Sequence, residues 1–242
     1  MAKNDTIQKQ TDGAWIIHHG QKVAADVDGA SEFPALDTAA KAASLLSQLA
    51  ATDEITIAKP QVEALGKAAK LNPKTELPSL LDILEKKKLV DVGKKGDVSV
   101  LGITSRATLQ HASDIFYEQD PTKEEKASLA LAEEGSKEPV PAKRMREYIE
   151  DTYKISKSST SDFLSRAEVI GFVDAEGKSD DKLYFNGNLF RRDNVSKTRR
   201  VLDSLSEAEG KKAAEIEALL IKNGCVGLDE AEKVLGGLYL RN

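Results

Sequence analysis

The chain has 242 residues, of which 40% are hydrophobic, 31% charged and 5% aromatic, with a formal net charge of −5. This is the composition of a folded globular chain with room for two or three small modules rather than one large core. It excludes a membrane span, since no apolar run approaches the roughly 18–20 residues required, and its one cysteine, Cys225, excludes an internal disulfide or a multi-thiolate zinc site.

In chain order, residues 1–35 read as a polar N-terminal extension. Ala14-Trp15-Ile16-Ile17 and Val23-Ala24-Ala25 are candidates for a small hairpin around His19-Gly20, with Trp15 as an anchor. No apolar stretch of the signal-peptide kind follows Met1, so a cytoplasmic location is expected. Asp37 then predicts an N-cap for a helix to about Ala50, with Ala39, Ala42, Ala43, Leu46, Leu49 and Ala50 on one stripe. Ile55-Thr56-Ile57 is a short strand candidate. Pro60 suits the first turn of a helix carrying Val62, Leu65, Ala68 and Ala69, which Asn72-Pro73 ends. A third helix, capped by Thr75, carries Leu77, Leu80, Leu81 and Leu84. It runs into Leu89-Val90-Asp91-Val92, a Gly/Lys/Asp turn and Val98-Ser99-Val100-Leu101, closing a first module over 36–103.

Residues 104–120 predict a connector helix with Ala107, Leu109, Ala112, Ile115 and Phe116 apolar. The same order then repeats over 121–190. A helix opens at Pro121-Thr122-Lys123-Glu124-Glu125 and stops at Gly135, and Val140 stands where the short strand was. A helix from Pro141 to Tyr153 follows, and then one capped among Ser158, Ser159, Thr160 and Ser161. Gly171 releases the chain into Phe172-Val173-Asp174, a turn at Gly177 and Leu183-Tyr184-Phe185. Leu80, Leu81, Leu84, Leu89, Val90 and Asp91 superimpose on Phe163, Leu164, Ala167, Phe172, Val173 and Asp174 at a constant offset of 83 (174 − 91). One offset across both a helix and the strand after it marks an internal repeat. After a basic connector at 191–205, a capping pair Ser206/Glu209, a helix through Ile216 and Leu220, a short Cys225-Val226 strand and a helix from Asp229 to Leu235 begin a third copy over 206–242. That copy is expected to be incomplete, either because the chain is a piece of a longer protein or because a partner completes it.

The repeated order of helix, strand, helix, helix, strand, turn, strand resembles the winged helix-turn-helix superfamily. The resemblance covers residues 36–190 and, in part, 206–242. It implies a predominantly α, α+β fold of tandem winged-helix modules joined by connector helices, and most often contact with nucleic acid through the third helix and the wing. Carried onto the second module, those positions are Lys157, Ser158, Ser159, Thr160 and Arg166, with Lys143, Arg144 and Arg146 on the helix before and Lys178 in the wing. Small hydroxyl residues beside a lysine at a helix N-terminus suit phosphate contacts, because backbone N–H groups point outward there.

Charge is uneven. Residues 141–200 hold 13 Lys/Arg against 10 Asp/Glu, whereas 105–140 hold 4 against 8 and 201–242 hold 5 against 8. A local patch of this kind sets the electrostatic footprint, whatever the total. Its centre is the run Arg191, Arg192, Lys197, Arg199 and Arg200. In the first module, Lys94 and Lys95 occupy the wing tip, but Glu76 and Asp82 on the third helix repel phosphate.

No catalytic signature stands out. His18 and His19 would point to opposite faces of a strand, Gly236-Gly237 lacks the Lys-Ser/Thr of a phosphate loop, and Cys225 reads as core filler. The expectation is therefore a non-enzymatic protein without metal or cofactor that binds nucleic acid, double-stranded DNA first, as a transcription regulator or the DNA-binding arm of an oligomer or larger assembly. The alternative is a protein–protein interaction scaffold built of winged helices.

Overall fold

The computed structural model describes residues 3–52 and 54–236. It is 66% helix and 7% strand, with the strands confined to two small antiparallel sheets, so the fold is α+β and mostly α. The chain divides into two units at the Leu189/Phe190 boundary.

The first unit opens with α1 (Lys3–Val23), a helix where a hairpin was expected. Its buried positions, Asp12, Gly13, Ile16, His19, Gly20 and Val23, recur at helical spacing. Three of the six are Gly or Asp, which disguises the stripe in a hydropathy reading. Its two buried glycines are points of closest approach rather than turn residues. A Cβ at Gly13 would lie 1.9 Å from the Leu109 carbonyl oxygen, and one at Gly20 would lie 2.0 Å from the Ala40 Cβ. Thus α1 packs flush on α3 (Pro34–Ala50) and α6 (Ser105–Glu118), which also pack on each other, so the three helices form a mutually packed bundle.

Between α1 and α3 lies the one-turn helix α2 (Gly29–Glu32). After α3 come β1 (Thr56–Ile57), α4 (Lys59–Ala68), α5 (Leu77–Lys86), β2 (Val90–Val92) and β3 (Val98–Val100). The sheet order is β1-β3-β2, with Ile57 opposite Val98 and Val92 opposite Val98 on the other side. The order recurs after α6: α7 (Lys123–Lys137), β4 (Val140–Pro141), α8 (Ala142–Tyr153), α9 (Lys157–Ile170), β5 (Asp174–Glu176) and β6 (Leu183–Phe185), in a sheet ordered β4-β6-β5. The backbone repeats in detail: Lys88 and Gly171, 83 residues apart, both leave their helix in the left-handed region, with φ of 57° and 87°.

The apolar interior runs without a break from Leu36, Leu45 and Leu84 through Ile16 to Leu131, Met145, Phe163 and Tyr184. The two repeats therefore share one core, with α1 as the splint. Their first helices are also joined by one side chain. Glu125, 1% exposed, accepts the backbone N–H groups of Ala35 at 2.7 Å and Leu36 at 3.1 Å through Oε1, and that of Thr122 at 2.8 Å through Oε2. One carboxylate thus caps the N-termini of both α3 and α7, which removes Asp37 from the capping role expected for it. Asp37 instead lies inside α3 and pairs with Lys41 at 2.6 Å. Gly135 likewise does not stop α7; it sits inside the last turn of the helix, where β6 crosses, the Phe185 backbone lying 3.4 Å from where a Cβ would be.

The second unit contains α10 (Val195–Ser204), α11 (Glu207–Asn223) and α12 (Leu228–Leu235). Ser206 and Glu209 form the expected capping box on α11. Cys225-Val226 is not a strand, and Cys225 is exposed rather than part of a core. Residues 237–242 of the expected third copy lie outside the described residues.

Candidate nucleic-acid interface

The candidate surface in the second repeat is built on α9. Its N-cap is Ser156, whose Oγ accepts the Ser159 N–H at 3.2 Å. The serines expected to cap the helix therefore sit inside its first turn. Lys157, Ser158, Ser159, Ser161, Asp162 and Ser165 are exposed. Thr160 is not: it is 0% exposed, on the same stripe as Phe163, Leu164 and Ala167, and its Oγ1 has no hydrogen-bond partner. Its spacing to Phe163 and Ala167 puts it on the inward face, so it is removed from the contact set. Asp162 is added to the face as a residue that weakens phosphate attraction.

Arg166 is also redirected. Its Nη2 and Nη1 donate to the two carboxylate oxygens of Asp26 at 2.5 and 3.2 Å, and its Nε donates to Glu32 at 2.5 Å. Those hydrogen bonds hold the Asp26 carboxyl below the usual carboxylate range. The guanidinium is thereby committed to the segment between α1 and α3.

On α8, Lys143, Arg144 and Arg146 are exposed. Arg144 donates to Glu138 at 2.6 Å, and Lys143 lies 4.0 Å from Glu147. Arg146, Lys157 and Lys178 form no ion pair among the described residues. The start of α8 lies against the wing: the Ala142 N–H donates to the Lys182 carbonyl at 2.8 Å, and α8 packs on the helical turn Ser179–Asp181 beside Lys178. Lys143, Arg146 and Lys178 therefore flank one junction. Lys182 itself is bound to Glu168 at 2.5 Å and lies over the Tyr184 ring, and the Glu168 hydrogen bond holds its ammonium pKa above the usual lysine value.

In the first repeat, Lys94 and Lys95 are exposed at the β2–β3 turn. The acidic residues of α5 are largely matched: Lys41 reaches Glu76 at 2.8 Å and Lys86 reaches Asp82 at 2.7 Å. Beside them is a feature no motif announced, an open groove of about 500 Å³ between α4, α5 and the wing. Val62, Leu77, Leu81 and Val92 form its floor, and Lys59 and Lys74 stand on its rim.

The basic run belongs to the second unit. Arg191, Arg192, Lys197 and Arg200 are exposed, and α10 begins within the run at Val195. Arg199 is bound one turn along α10 by Asp203, within its own helix.

Just past the end of α9, Phe172 packs against His19 of α1. His19 is 0% exposed, its ring centroid 4.3 Å from that of Phe172 and 5.7 Å from that of Trp15, and its Nε2 lies 3.2 Å from the Ser128 carbonyl. Nε2–H is the donor consistent with that contact, and Nδ1 has no partner. Burial pushes the His19 pKa down to about 3, so the ring is neutral. Asp12, also buried, accepts from Tyr117 Oη and Gln8 Nε2, each at 2.9 Å. Desolvation raises the pKa of both Asp12 and Tyr117.

Comparison with protein-family models, curated proteins and solved structures returned no match.

Proposed function

We propose that residues 34–100 and 123–185 are two winged-helix modules, and that the chain is a non-enzymatic nucleic-acid-binding protein, with double-stranded DNA as its first-choice ligand and the second module as its reader. The element order, the strand order and the left-handed helix exits, all duplicated, support the winged-helix assignment. The observation that carries the functional reading is the surface of the second module. Lys157 and Ser158 at the start of α9, with Lys143, Arg146 and Lys178 at the α8–wing junction, present cations and hydroxyls outward, and three of those four cations have no ion pair among the described residues. Such groups supply phosphate contacts that place a helix in a groove.

Titration of the full chain against a labelled 25-base-pair duplex at several salt concentrations tests the reading. Replacing Lys143, Arg146, Lys157 and Lys178 by alanine together should flatten the slope of log affinity against log salt by about 3–4 units, since each phosphate contact contributes about 0.9. A second variant, with Arg191, Arg192, Lys197 and Arg200 replaced, measures the contribution of the basic run. Unchanged slopes in both variants would refute the reading.

One observation favours a second reading, a protein–protein scaffold. The apolar groove of the first module, floored by Val62, Leu77, Leu81 and Val92, is a surface suited to side chains rather than phosphates.

A further inference from the structure

We infer that Arg166 is a positioning residue: by forking onto Asp26 and Glu32 it braces α9 and sets the direction in which Lys157 and Ser158 meet nucleic acid. The inference rests on the nucleic-acid reading of the second module and assigns the segment between α1 and α3 a part in it.

Three contacts gather at Arg166 and at the exit of α9, all from the N-terminal part of the chain. The first is the fork itself, in which all three guanidinium nitrogens are used, two on Asp26 and one on Glu32. Asp26 is held in turn, because its Oδ1 accepts the Asp28 N–H at 3.1 Å, so the fork ends on a fixed point. The second is the ring contact at the helix exit, where Phe172 lies 4.3 Å from His19 and 5.1 Å, edge-on, from Phe33. The third is the approach of the Lys22 ammonium to within 3.7 Å of where a Cβ would stand on Gly171. At the other end of α9, Lys157, Ser158 and Ser159 are exposed.

α9 is packed along its inward face through Thr160, Phe163 and Leu164, and the fork adds a polar anchor at its C-terminal half, so a change there tilts the helix on that packing. With a rise of about 1.5 Å per residue, the nine residues from Lys157 to Arg166 span roughly 13 Å. A tilt of a few degrees then moves the reading end by about 1 Å, enough to disturb contacts that demand close geometry. The repeat shows that the module does not itself require a cation here. The position 83 residues earlier is Ile83, which packs on the hydrophobic core. Arginine suits the brace because a planar fork can serve two carboxylates at once, which lysine cannot do.

The test compares Arg166→Ala, Arg166→Lys and the pair Asp26→Ala/Glu32→Ala in the full chain, using duplex affinity, its salt slope and amide hydrogen exchange. As a brace, Arg166→Ala and Arg166→Lys both weaken duplex binding by about tenfold while leaving the salt slope within about 0.3 of wild type, and the carboxylate pair reproduces the loss. Combining Arg166→Ala with that pair adds no further loss. The outcome that overturns the inference is rescue by Arg166→Lys, a slope reduced by about one unit in Arg166→Ala, and binding unharmed or tightened by Asp26→Ala/Glu32→Ala; Arg166 would then meet phosphate directly. Hydrogen exchange separates failure of the brace from failure of the nucleic-acid reading. Arg166→Ala should accelerate exchange of the α9 amides at least fivefold even if the wild-type chain binds no duplex, and unchanged exchange in α9 would refute the brace on its own.

Discussion

Replacing Glu125 is the most direct test of how the two repeats are held together. The side chain is 1% exposed and accepts three backbone N–H groups, from Ala35, Leu36 and Thr122. Glu125→Ala removes the α3 cap and the carboxylate half of the α7 capping box, at about 1 kcal/mol each; the Thr122 Oγ1 cap of α7 stays. It also leaves the N–H groups of the buried residues Ala35 and Leu36 without their acceptor, which costs about 1–3 kcal/mol more. The expected loss is therefore about 3–5 kcal/mol, a large share of the roughly 5–15 kcal/mol that stabilises a natural domain. Glu125→Gln keeps an acceptor for Ala35 and Leu36 but turns an amide N–H₂ towards the Thr122 N–H, so it should cost about half as much. Urea unfolding followed by far-ultraviolet circular dichroism measures both variants, and Trp15 fluorescence reports the α1 junction in the same samples. A loss below about 1 kcal/mol for Glu125→Ala, or equal losses for Ala and Gln, would show that the double cap does not hold the first helices.

Other consequences follow from single positions. His19 has a folded pKa of about 3 against 6.5 ordinarily, so the unfolded chain takes up a proton that the folded chain refuses. Its contribution to stability is complete above about pH 6.5 and falls by about 1.4 kcal/mol per pH unit towards pH 3; urea midpoints of the wild type and His19→Gln across that range should diverge, with the variant less pH-dependent. The Asp26 carboxyl is depressed by Arg166, so the stability of that pair is present above the ordinary carboxylate range and is lost as the pH falls below it. Gly13→Ala and Gly20→Ala each force a Cβ into the Leu109 carbonyl or the Ala40 side chain, and each should lower stability by about 1–3 kcal/mol in thermal melts. Lys88→Gly relieves a left-handed residue at φ 57° and should raise stability by about 1 kcal/mol, seen as a higher urea midpoint.

Much of the architecture was legible because it is local. Apolar stripes, Pro60 at a helix start and the Thr122–Glu125 capping pair are each written within a few residues. The 83-residue offset added the relation between the repeats. Thr160 was misassigned to the contact surface, although its spacing to Phe163 and Ala167 put it on the inward face. The helical state of residues 3–23 was hidden because the buried stripe of α1 uses Gly, Asp and His, whose burial depends on partners elsewhere in the chain. The exposed cations of the candidate surface could be picked from the sequence, but their pairing could not. Arg166 and Arg146 have the same charge in the sequence, yet only Arg166 meets carboxylates 140 and 134 residues away.

What the amino-acid sequence determined by itself was therefore most of the elements between Pro34 and Phe185, their duplicated order and where positive charge collects, since each depends on short-range spacing and composition. Tertiary structure decided which charges remain available to a ligand, that the repeats share one core, and that one carboxylate from α7 caps a helix 90 residues earlier. Those outcomes depend on groups brought together across long loops. Desolvation and pairing energies arise only once the chain has closed, and no local pattern encodes them.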